Sequence, residues 1–123
     1  MIRNILLVAL GGAIGSVCRY LLSGMNAASW PWGTFVVNIL GSLIIGLLVG
    51  LISKGVFSPE MKLLLVTGFC GGFTTFSTIA NESFGMMKAG DVLMTAIYIG
   101  ASIVVGILAV WGGLALSGSI NLK

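Results

Sequence analysis

The residues able to do chemistry are few, and most are neutral hydrogen-bonding groups set inside apolar runs. Thr34, Asn38 and Ser42 recur at intervals of four. On a helix that interval puts all three on one face. An amide surrounded by hydrocarbon must find partners or water. The stripe therefore either ties helices together or lines a path offering N–H and O–H groups to a small solute. Serine and threonine can bond back to their own helix, so Asn38 carries most of the weight.

A second group lies in Gly68-Phe69-Cys70-Gly71-Gly72-Phe73-Thr74-Thr75-Phe76-Ser77-Thr78. Paired glycines followed by paired threonines suit a helix that stops and restarts, because glycine is permissive and Ser or Thr caps the new start. The expectation is a half-helix over 61–70, a break over 71–75 and a second half from Phe76. Broken helices within a membrane offer carbonyls to cations and N–H groups to anions. Phe69, Phe73 and Phe76 fill space or face lipid; a ring edge also carries partial positive charge. Arg19 lies near the end of an apolar run, where it either snorkels to the interface or attracts anions to a vestibule. Glu82 could pair with Lys88 or Arg19.

These groups need elements to hold them, and composition decides which. Of 123 residues, 58% are hydrophobic and 7% charged, with a mean hydropathy of +1.16. A soluble domain carries roughly 25% charged residues. Disorder is excluded too, since it needs low hydrophobicity. The six basic residues are scattered singly, so no cluster could neutralise a run of phosphates and nucleic acid is no partner. There is no histidine, and the two cysteines, Cys18 and Cys70, form neither a metal site nor a disulfide framework by themselves.

Four apolar segments cover about 5–22, 33–52, 61–87 and 92–116. A helix crossing a bilayer needs roughly 20 residues. Barrel strands need roughly 10 with strict alternation, which these segments lack. The first segment could imitate a cleavable signal, but the remainder of the chain is equally hydrophobic, so it is read as a retained span. The chain is thus expected to be one all-α, four-helix transmembrane domain over 1–123. Ser58 before Pro59, and Asp91, are placed to cap helices. Arg3, Lys54, Lys62 and Lys123 fall on the side of the termini, and Arg19 and Lys88 on the other. That bias fixes orientation only weakly. Gly11 and Gly15, Ser42, Gly46 and Gly50, and Ser102 and Gly106 repeat at the spacing that lets helices approach closely in lipid.

The stretches Gly11-Gly12-Ala13-Ile14-Gly15 with Arg19-Tyr20, Gly33-Thr34-Phe35-Val36-Val37-Asn38-Ile39-Leu40-Gly41, and the run from Gly68 to Thr78 resemble the CrcB/Fluc fluoride channels of bacteria in order and across nearly the whole chain. The resemblance implies an antiparallel, dual-topology homodimer in the bacterial cell (inner) membrane. It implies two pathways that pass fluoride passively out of the cell and reject chloride. It also implies a structural sodium ion at the dimer centre, held by backbone carbonyls of Gly71 and Thr74 from both subunits. The pathway would use Asn38, Phe76, Tyr98 and Ser102, with the hydroxyls of Thr75 and Thr78 nearby and Arg19 in the vestibule. Two positions depart from the family pattern: Ile79 stands where a second phenylalanine is usual, and Gly106 where a serine is common.

A proton-coupled multidrug exporter of this size would need a membrane-embedded acid, usually in its first helix; none is present there. A structural assembly protein would need neither Asn38 nor the Gly-Gly-Phe-Thr-Thr run. No nucleotide-binding loop and no histidine relay point to a pump or an enzyme.

Overall fold

The computed structural model describes residues 1–26 and 30–118. The expected place of Lys123 beside the N-terminus lies outside them. Helix α1 is Ile2–Ser23 and α2 is Trp32–Ser53. The third segment, Pro59–Lys88, contains α3 (Pro59–Lys62), a π-helical stretch Leu63–Cys70, α4 (Gly71–Phe73) and α5 (Phe76–Lys88). Helix α6 is Val92–Leu116. All four segments are long and apolar enough to cross a membrane.

The helix starts follow local chemistry. Ser58 Oγ accepts from Met61 N–H at 3.2 Å, with Pro59 opening the helix. Asp91 Oδ1 accepts from Met94 N–H at 3.4 Å. Each satisfies a donor that the first helical turn leaves without a partner. Gly55 and Gly90 take φ of 75° and 87° just beyond helix ends, where a side chain would be strained.

Little apolar surface is buried within the chain. Among the described residues, the buried apolar side chains are Val37, Leu48, Cys70, Phe73 and Tyr98. Leucines, isoleucines and valines of α1 and α6 point outward instead. Lipid is as apolar as leucine, so close packing must join these helices. Glycine provides it. On the α1 seam with the third segment, a Cβ on Gly11 would sit 3.0 Å from Gly68 Cα, and one on Gly15 would sit 2.8 Å from Phe73 N. On the α2–α6 seam, a Cβ on Gly46 would lie 3.0 Å from Val110 Cα.

The third segment differs from expectation in two ways. Gly71 and Gly72 are helical, so the helix continues through Phe73. Both glycines can stay helical because the helix end is set further on, where Thr75 is drawn away by Asn38. The residues with extended backbone are Thr74 (φ −85°, ψ 155°) and Thr75 (φ −153°, ψ 120°). Before them the helix widens to π geometry over Leu63–Cys70, a form associated with functional sites.

Candidate functional site

Asn38 and the extended pair are coupled. Thr75 N–H donates to Asn38 Oδ1 at 2.9 Å, and Asn38 Nδ2 donates to the carbonyls of Thr34 at 3.0 Å and Thr75 at 3.4 Å. The amide orientation is forced, since only its oxygen can accept from Thr75 N–H. Thr75 N–H would otherwise serve the Gly71 carbonyl four residues back. That carbonyl is left without its helical donor.

Thr75 Oγ1 accepts from Thr78 N–H at 3.3 Å and lies 3.1 Å from Thr78 Oγ1. It therefore caps α5. Thr74 Oγ1 bonds back to the Cys70 carbonyl at 2.8 Å. Ser42 Oγ does likewise to the Asn38 carbonyl at 2.7 Å. Ser102 Oγ is buried and has no hydrogen-bond partner among the described residues.

Arg19 donates from Nε to the Gly72 carbonyl at 3.1 Å, immediately before the extended pair. A cleft of about 240 Å³ opens beside it, lined by Ser16, Arg19, Thr34, Thr75 and Thr78 among others. Three expected hydroxyl-bearing residues and the expected vestibule arginine thus share one space. Phe76 and Ile79 do not join them within the single chain. They line a separate apolar cleft of about 240 Å³ with Ala80, Ser83, Phe84, Met87 and Ile99, and Phe76 is 82% exposed.

Glu82 corrects an expectation. It pairs with neither Lys88 nor Arg19. Lys88 lies six residues further along the same helix, on a different face. Arg19 is turned to Gly72. Instead, Glu82 Oε2 accepts from Asn26 Nδ2 at 2.9 Å and Thr34 Oγ1 at 3.0 Å, and Oε1 accepts from Tyr98 O–H at 2.9 Å. Tyr98 is fully buried and Thr34 nearly so. Four elements meet at this carboxylate: the α1–α2 connection, α2, α5 and α6.

Asn26 is the residue that motif reading passed over. Its Oδ1 accepts from Thr34 N–H at 3.1 Å. The only sequence signal is an asparagine just past a helix end, ahead of a helix whose N-cap, Pro31, has no side-chain acceptor.

Apolar helices joined through glycine, with polar side chains converging on an interrupted third segment, define a small multi-pass membrane protein with an internal polar site. The family described as "CrcB-like protein, Camphor Resistance (CrcB)" matches residues 6–114, and the chain belongs to it. A protein named fluoride-specific ion channel FluC from Agrobacterium fabrum is 52% identical over 118 residues, covering 92% of this chain and 94% of that one. One of the same name from Maridesulfovibrio salexigens is 50% identical over 116 residues, covering 90% and 92%. Another, from Methanopyrus kandleri, is 47% identical over 116 residues, covering 92% and 88%. The chain is therefore a multi-pass membrane protein of this family, and these relatives are ion channels rather than enzymes.

Proposed function

We propose that the protein is a passive, selective fluoride channel that releases cytoplasmic fluoride through two pathways in an antiparallel homodimer. The observation that carries this reading is identity of 47–52% along nearly the whole chain to proteins named fluoride-specific ion channels.

The site chemistry supports a small, hard anion. Fluoride is strongly hydrated and leaves water only for dense hydrogen-bond donors. Thr34, Thr75 and Thr78 line the Arg19 cleft. Asn38 sets their spacing by clamping Thr75 to α2. The hydroxyls of Thr34 and Tyr98 are already donated to Glu82, so among the threonines of the cleft Thr75 and Thr78 are the ones not committed to that carboxylate. A full charge at a constriction would trap the ion, and conduction needs reversible binding. Arg19 shares the cleft lining with Thr75 and Thr78, held against the Gly72 carbonyl, and its charge draws fluoride in.

Phe76 supports the dimer. A ring 82% exposed on one chain would complete a pathway when a second copy brings it against the half-buried Asn38. Ile79 beside it offers hydrocarbon only, so Phe76 supplies the ring edge. Ser42 lies one turn beyond Asn38 on the same face.

The third segment would cross the membrane as two half-helices joined at Thr74–Thr75. The residues there fit a structural sodium ion. Carbonyl oxygens suit a hard cation, and the Gly71 carbonyl lacks its helical donor because Thr75 N–H goes to Asn38. The carbonyls of Gly71 and Thr74 would hold it, and the ion itself would supply positive charge at the two-fold axis.

Charge movement tests passive conduction. In liposomes loaded with potassium fluoride, efflux should begin only when a potassium ionophore balances the charge. Efflux without the ionophore, driven instead by a pH gradient, would mean proton exchange and contradict the channel.

A further inference from the structure

Glu82 holds one oxygen toward Tyr98 and the other toward Thr34, two residues of the proposed pathway. Its third donor comes from outside the membrane helices. Asn26, in the α1–α2 connection, reaches Glu82 Oε2 at 2.9 Å across 56 residues of sequence. The same side chain takes Thr34 N–H at 3.1 Å, and its Nδ2 lies 3.5 Å from Thr34 Oγ1. Thr34 N–H belongs to the first turn of α2, where backbone donors have no helical partner. Pro31 at the N-cap has no side-chain oxygen to offer, and Asn26 takes over that task.

The amide therefore does two separable things. Its oxygen caps α2, and its nitrogen orients the Glu82 carboxylate. Because Thr34 N–H must meet the oxygen, the NH₂ group is compelled to face Thr34 Oγ1 and Glu82. Without that donor, Oε2 would rest on Thr34 alone and Oε1 on Tyr98 alone, and the carboxylate that fixes those two hydroxyls would be less firmly held.

We propose that Asn26 is a positioning residue for anion passage, acting through Glu82 to fix the Thr34 and Tyr98 hydroxyls. This rests on the fluoride-channel reading above. Substituting Asn26→Asp separates the two tasks. Aspartate caps a helix as well as asparagine does. It removes the donor and sets a second carboxylate against Glu82.

The experiment measures fluoride efflux from liposomes for the parent, N26D, E82Q and the double variant. N26D should slow efflux about tenfold, a barrier change that one repulsive contact supplies. In the E82Q background the added loss should be less than about twofold, because the amide introduced by E82Q can donate to the carboxylate introduced by N26D and the repulsion is gone. A purely structural cap predicts parent flux from N26D. Parent flux from N26D, or an equal loss in both backgrounds, overturns the inference. Should E82Q carry no measurable flux, the cycle is read on unfolding midpoints in detergent. N26D should lower the midpoint in the parent and not in E82Q, and an equal lowering in both overturns it. A parent protein that releases no fluoride defeats the channel reading itself, a result distinct from a conducting parent with an unaffected N26D.

Discussion

The two halves of the third segment meet their neighbours in opposite ways. Residues 63–73 lie on α1 through Gly11, Gly12, Gly15, Gly68 and Gly72, backbone against backbone. Residues 74–88 meet α2, α6 and the α1–α2 connection through the side chains of Asn38, Thr34, Tyr98 and Asn26. The first contact fixes position chiefly by shape, with one side-chain hydrogen bond, from Arg19 to the Gly72 carbonyl. The second fixes orientation by hydrogen bonds and gathers neutral polar side chains around Thr75 and Glu82. Two halves of one segment thus hold their neighbours by different means, one by shape and the other by directed hydrogen bonds.

Filling the shaped half should have the largest effect. At Gly15 a Cβ would meet the Phe69 carbonyl oxygen, with Phe73 N 2.8 Å away. Neither is the movable end of a side chain. Gly15→Leu should cost about 3 kcal/mol or more and abolish recovery of monodisperse protein on a sizing column. A normal yield would mean the seam is looser than the backbone distances imply.

Disturbing the polar half should reduce flux more than folding. Asn38→Asp keeps an acceptor for Thr75 N–H. It loses both donations to the Thr34 and Thr75 carbonyls and faces them with negative charge. Fluoride efflux should fall about a hundredfold, with a lower unfolding midpoint but intact protein. Loss of folded protein would make Asn38 a packing residue only. Phe76→Ile removes an exposed ring, so the midpoint should hold while efflux drops about tenfold. Unchanged efflux would place Phe76 in lipid.

The smallest effect belongs outside both contacts. A Cβ on Gly85 in α5 meets nothing within 4 Å. Gly85→Ala should raise stability by about 0.5–1 kcal/mol and leave efflux unchanged. A drop in either would show that this face is covered in the assembled protein.

The fold was legible because lipid imposes a simple rule: four apolar runs of sufficient length become four helices. The caps at Ser58 and Asp91 were legible because they act within one turn. Asn38 stood out as an amide among hydrocarbon, but its partner did not, since nothing local links it to Thr75, 37 residues away. The Glu82 contacts were hidden for the same reason, and charge pairing pointed to the wrong partners. The cleft combining Arg19 with Thr34, Thr75 and Thr78 joins three elements and has no sequence period. The π-helical stretch Leu63–Cys70 carries no residue signal that distinguishes it from an ordinary apolar helix.

The central claim is that this arrangement passes fluoride and refuses chloride. Purified parent protein in liposomes, with charge balanced by an ionophore, measures it directly. Fluoride should leave rapidly while chloride stays at the level of protein-free vesicles. Equal release of both anions, or fluoride release no faster than from empty liposomes, would contradict the account.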